Sequence, residues 1–240
     1  MKVRGERECT ECGTRWSYFE TGSVSCPGCG SLRSVGSGDR REHTDAAVTL
    51  DLTDVRADVN DRPLVDVVGD ATDRCRTYVA RRGFIAGGDL RPLDETYVAA
   101  LELRSVHGLL VGHRSLGDDE QLYVLSLLRD ADDGTRPPAA DVPPSLRAAR
   151  GIAVARAVTD YRRAITDWAA DRSLDSETTT AIEALGDHAT RLDGLDGDVD
   201  PVTAGTILSA TRSLGDALRG EGKTDAAEIV AQLDDLDYRD

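Results

Sequence analysis

The 240-residue chain is strongly acidic, with 44 Asp and Glu against 29 Lys and Arg and a formal charge of −15 at neutral pH. Its length allows a sizeable hydrophobic core, but no run of roughly eighteen apolar residues is present to cross a bilayer as a helix. The amino-terminal Met-Lys-Val-Arg-Gly-Glu-Arg also lacks the apolar stretch of a secretory leader, so the expectation is a cytoplasmic protein with no membrane role.

In chain order, residues 1–36 form a short unit with four of the five cysteines, in which Trp16, Tyr18 and Phe19 follow the first cysteine pair at strand-like spacing. Thr21-Gly22-Ser23 reads as the hairpin turn that returns the chain to the second pair. Residues 37–60 read as a linker: Gly36 to His43 is polar, and Val48, Leu50 and Leu52 alternate as in a short strand.

From Pro63 the period becomes helical. Leu64, Val67, Val68, Ala71, Cys75, Tyr78 and Val79 share one face of a helix that Gly83 can end. Asp94 caps a second helix, apolar almost all round through Leu116, as central buried helices are. Asp118 caps a third, carrying Leu122, Val124, Leu125 and Leu128, before Gly134-Thr-Arg-Pro-Pro interrupts the pattern. Pro144 opens a long helix with Val154, Val158, Tyr161, Ile165 and Trp168 on one seam. Residues 61–172 are thus expected as a helical domain. Residues 173–240 are expected as a three-helix segment carrying Ile182, Leu185, Ala189 and Leu192, then Ile207, Thr211, Leu214 and Leu218, then Ile229, Val230, Leu233 and Leu236. The fold class is mainly α, with a small N-terminal β ribbon.

The strongest chemical signal is Cys9-x2-Cys12 followed by Cys26-x2-Cys29, each pair in a tight turn ending in glycine, Cys9-Thr-Glu-Cys-Gly13 and Cys26-Pro-Gly-Cys-Gly30. Two facing pairs at this spacing supply the four thiolates of one tetrahedral ion, and a reducing cytoplasm favours metal over disulfides. Zinc (one ion) is favoured, in a closed site with no open coordination position, which makes its role structural. Iron uses the same four ligands in rubredoxin-like domains, so a rubredoxin-like electron-transfer protein is the alternative.

Cys9-Thr-Glu-Cys-Gly13 with Glu20-Thr-Gly-Ser-Val-Ser-Cys-Pro-Gly-Cys-Gly30 resembles the N-terminal zinc ribbon of transcription factor IIB. The resemblance implies a zinc role for Cys9, Cys12, Cys26 and Cys29 and, by analogy, a docking role for the ribbon. With Arg4-Gly-Glu-Arg7 ahead of the ribbon and helices behind it, the whole chain resembles an uncharacterised haloarchaeal zinc-ribbon family. The composition agrees with that setting: 32 of the 44 acids are Asp, and Lys2 and Lys223 are the only lysines. At molar salt the screening length is roughly 3 Å, so long-range attraction to polyanions is largely lost.

Residues 1–41 hold seven basic and five acidic residues, net +2, while the remainder is net −17. Arg15, Trp16 and Arg33 are therefore the candidate partner-binding residues, with Arg4, Arg7, Arg40 and Arg41 near them, for a protein or a nucleic acid. On the long helix, Arg147, Arg150, Arg156, Arg162 and Arg163 interleave with Asp160, Asp167 and Asp171 and read as a solvated ion-paired face. Cys75 reads as an inert core thiol. His107 and His113 differ by about 120° around their helix and are not expected to share an ion. No Glu-x-x-His, phosphate loop or nucleophile elbow occurs, and no small-molecule substrate is identified. The expectation is a non-enzymatic adaptor or binding protein, linked to transcription or another nucleic-acid process.

Overall fold

The first eight residues already form structure, although their sequence shows little apolar alternation. The structure is a computed structural model that describes residues 1–111 and 116–238. Strand β1 (Lys2–Cys9) is the centre of an antiparallel sheet, flanked by β2 (Arg15–Ser17) and β3 (Ser34–Glu42). Thus Gly36 to His43, expected as linker, is mostly strand. Its regularity comes from hydrogen bonds to β1 rather than from a buried face, since β3 is exposed along most of its length. The register slips between Arg4 and Glu6, opposite Gly38, whose φ of 76° accommodates the extra residue of a bulge.

The return between the cysteine pairs is not the expected hairpin. After β2 the chain makes one helical turn, α1 (Tyr18–Thr21), closed by Gly22 at φ 62° with its N–H on the Tyr18 carbonyl at 2.8 Å. This turn aims Phe19 back at the sheet. Its ring lies 2.0–2.6 Å from where a Cβ on Gly5 would stand, so only glycine fits there.

The remaining described strands are the two-residue β4 (Ile85–Ala86) and β5 (Asp89–Leu90), a hairpin turned by Gly87 and Gly88, both at positive φ. No strand forms at Val48 to Leu52. That stretch is irregular, with Leu50 and Leu52 buried, and leads into the short α2 (Thr53–Ala57).

The helices follow the sequence pattern closely. α3 (Leu64–Arg81) buries Val67, Val68, Ala71, Cys75 and Tyr78. α4 (Glu95–Leu110) is capped by Asp94, which accepts from the Tyr97 N–H at 2.8 Å, and it buries residues around its whole circumference. It ends at Leu110 rather than Leu116; His113 lies outside the described residues. α5 (Asp118–Asp130) starts on Gly117 and leaves Leu122 at the surface. Pro144 opens a 3-10 turn that runs into α6 (Arg147–Ala169). α7 (Ser176–Gly194), α8 (Pro201–Arg219) and α9 (Ala226–Asp234) complete the chain, with Asp200 and Asp225 as caps of the last two.

α6 lies at the centre, against α4, α7 and α8, and one continuous apolar core runs from Leu50 to Leu233. Among the described residues no helix is long and apolar enough to cross a membrane.

One group of charges lies inside this core. Glu102 is fully buried and is met by Arg136 at 2.9 Å, by Arg150 at 3.3 Å and by the Tyr123 hydroxyl. Arg150 is therefore not on the solvated face expected for it. It is 7% exposed and also donates to the Pro137 carbonyl at 2.8 Å, because α6 turns that residue toward α4 and α5. Buried charge of this kind persists only when paired and hydrogen-bonded.

The ribbon is seated on the helical part through the residues after β3. The Gly88 N–H donates to the Glu42 carbonyl and the Thr44 N–H to the Ile85 carbonyl, both at 2.8 Å. The Gly87 N–H donates to His43 Nδ1 at 3.3 Å, and Phe19 packs on the His43 ring at 4.9 Å. Asp45 pairs with the half-buried Arg82 at 2.5 Å.

Candidate metal centre

Two copies of one backbone motif build the site. At the end of β1, the Cys9 N–H donates to the Thr14 carbonyl at 2.9 Å, and the Gly13 N–H returns to the Cys9 carbonyl at 3.0 Å. After α1, the Cys26 N–H donates to the Ser31 carbonyl at 2.9 Å, and the Gly30 N–H returns to the Cys26 carbonyl at 2.8 Å. Both turns close on a glycine in the left-handed region, Gly13 at φ 72° and Gly30 at φ 74°, where a β-carbon would be strained.

The two turns face each other, and all four sulfurs lie within 4.8 Å of one another. Cys9 Sγ is 3.6 Å from Cys29 Sγ, and Cys12 Sγ is 3.5 Å from Cys26 Sγ. A tetrahedral ion with metal–sulfur bonds of about 2.3 Å has sulfur–sulfur edges of about 3.8 Å, so the quartet fits one such ion. The Gly28 N–H donates to Cys26 Sγ at 3.3 Å, the kind of outer contact that orients a ligand thiolate. Among the described residues this is the one group of His, Cys, Asp and Glu whose ligand atoms converge.

Contacts at the site drive the Cys12 and Cys29 thiols in opposite directions. The Thr14 hydroxyl, 3.1 Å from Cys12 Sγ, and then the Thr14 amide hold the Cys12 thiol down at about 6. Cys29 goes the other way: a Ser31 backbone hydrogen bond lowers it, but contacts with the Cys12 and Cys9 sulfurs outweigh that and push it up to about 12. Sulfurs this close do not all ionise without a cation between them, which is the condition a divalent metal relieves. Cys75 is outside this group, buried in α3 with its thiol pushed up to about 12 by burial, as an inert core thiol should be.

The other candidate residues separate. Trp16 is 7% exposed, packed with Cys9 and Cys26 in the ribbon's own small core, and its indole N–H donates to the Ser23 carbonyl at 2.9 Å. Its ring is thus covered and offers no stacking face. The two-residue period of a strand puts Trp16 on the inner side of the sheet and Arg15 on the outer. Arg15 is exposed and pairs with Glu8 across the strand at 2.9 Å, and Arg33 is exposed and pairs with Glu11 at 3.6 Å. The structure therefore leaves Arg15 and Arg33 at the surface and takes Trp16 out of it. Sequence reasoning missed the brace beneath them: Arg7 Nε donates to Ser34 Oγ at 3.0 Å, and Ser34 Oγ donates to the Val24 carbonyl at 3.0 Å. His107 stands against Gly69 of α3 as a polar edge of its helix.

Residues 1–233 match the model of a family described as a family of unknown function (DUF7117), and the chain belongs to that family. No curated protein and no solved structure matches it.

Proposed function

We propose that this chain holds one structural zinc ion at Cys9, Cys12, Cys26 and Cys29 and acts by binding a partner macromolecule rather than by catalysis. The observation that carries the zinc reading is the convergence of four sulfurs from two glycine-closed turns, with spacing that suits a closed tetrahedral ion. The ion's role in such a site is to hold the ribbon folded, because Cys9, Trp16 and Cys26 alone make its core. The adaptor reading is supported by the contrast between residues 1–41, of net +2, and a remainder of net −17. The resemblance to the ribbon of transcription factor IIB directs the search for a partner to the transcription machinery first. The Asp-rich, lysine-poor composition supports a haloarchaeal, high-salt and reducing cytoplasm as the setting.

Elemental analysis of protein purified without added metal tests the first part. One zinc per chain, lost in Cys26→Ser, is the expected result. A red protein with one iron and a reversible redox wave would replace zinc with the rubredoxin-like electron carrier.

A further inference from the structure

The ribbon's basic residues divide into two sets. Arg7, Arg15 and Arg33 are engaged inside the ribbon, with Ser34, Glu8 and Glu11. The side chains of Arg40 and Arg41, near the far end of β3, have no hydrogen-bond or ion-pair partner among the described residues. Arg40 stands directly across from Arg4 in the β1–β3 pairing, and the Arg4 guanidinium is itself engaged, donating to the Gly38 carbonyl at 3.0 Å. Arg41 lies over Gly88 with its aliphatic stem.

These two arginines line a cleft of about 410 Å³ between the end of the sheet, the β4–β5 turn and the last turns of α6. The Asp89 and Asp167 side chains line it too, and among the described residues they likewise have no ion-pair or hydrogen-bond partner. Other groups at the cleft are already tied down. Lys2 pairs with Asp171 at 2.6 Å, Trp168 Nε1 donates to the Gly88 carbonyl at 3.1 Å, and the Arg172 guanidinium stacks 4.2 Å over the Trp168 ring while donating to the same carbonyl. The cleft is therefore preordered and presents two free cations and two free carboxylates, on a chain whose remainder is heavily acidic.

We propose that this cleft, and not the knuckle end carrying Arg15 and Arg33, is the docking site for a partner protein. The occupant is a segment that brings a carboxylate to Arg40 and Arg41 and a basic side chain to Asp89 and Asp167. Guanidinium groups take carboxylates in paired hydrogen bonds, and the free carboxylates select against a uniform polyanion such as a nucleic-acid strand. The inference rests on the adaptor reading above and is independent of which metal the ribbon holds.

Full-length protein, its metal content measured on the same sample, is panned against displayed random peptides of about twelve residues at about 1 M KCl, where exposed charges attract one another over only about 3 Å. Enriched peptides are then titrated by fluorescence anisotropy. The expected peptides carry an acidic and a basic residue together. Their Kd rises at least about tenfold for Arg40→Gln/Arg41→Gln and for Asp89→Asn/Asp167→Asn, and by less than about twofold for Arg15→Gln/Arg33→Gln. All three variants should keep the parent's melting temperature and metal content. The proposal is overturned by an absence of enrichment, by peptides that ignore the Arg40/Arg41 and Asp89/Asp167 changes, by peptides that follow the Arg15/Arg33 change, or by single-stranded DNA outcompeting them at the cleft. Metal content reports on the zinc reading separately in every case.

Discussion

Removing the metal should unfold the ribbon and leave the helices standing. The ribbon's own core is Cys9, Trp16 and Cys26, and burying Trp16 there contributes only about 3 kcal/mol. Ordering even a few residues of backbone costs about 1–2 kcal/mol each. A structural zinc ion at the quartet, as proposed above, would contribute about 10–16 kcal/mol and dominate the balance. The helical part has a separate and far larger core that shares none of these three residues. Chelation of the purified protein, or Cys26→Ser, should therefore abolish one equivalent of bound metal and expose Trp16, with a red shift of its emission. Helical ellipticity should stay close to the parent's. Changing Trp168→Phe first leaves Trp16 as the only indole, which makes the emission reading unambiguous. Loss of metal with no change in Trp16 emission would refute a structural ion, and simultaneous loss of ellipticity would refute the independence of the two cores.

Glu102→Gln should destabilise the protein by about 3–5 kcal/mol in urea titration, because Arg136 and Arg150 are left buried without their shared carboxylate; a change below about 1 kcal/mol would show the network to be solvated. Gly5→Val should displace the Phe19 ring from β1 and cost about 1–3 kcal/mol, read as a lowered melting temperature. Burial, and then the neighbouring Arg191, hold His188 below its ordinary value, where its ring stacks on Tyr238. The folded state thus binds this proton less readily than the unfolded chain, so stability is full above the ordinary value near 6.5 and declines as pH falls from there through the depressed folded value. Urea midpoints measured from pH 7 toward pH 5 should fall in the parent, and the fall should be shallower in His188→Gln.

Much of the molecule was legible in its residues because the signals are local. The two Cys-x2-Cys-Gly turns carry their own geometry: the glycines supply the positive φ and the turns aim the sulfurs inward. The apolar stripe from Val67 to Tyr78 and the capping carboxylates of Asp94, Asp200 and Asp225 each depend on residues a turn or two away, and helices formed where they indicated. What local pattern does not contain is a partner distant in the chain. β3 is glycine-rich, charged and exposed, and it is a strand only because β1, some thirty residues earlier, supplies its hydrogen bonds. Trp16 could have faced either side of β2 until the sheet assigned one side to the small ribbon core. Arg150 sits among charges that look solvated in sequence, and only the packing of α6 on α4 places its guanidinium against Glu102. Composition and periodicity determined the thiolate quartet and the helices. The direction each strand and helix face turned, and so which arginines were drawn into ion pairs and which were not among the described residues, was decided by contacts between segments far apart in the chain.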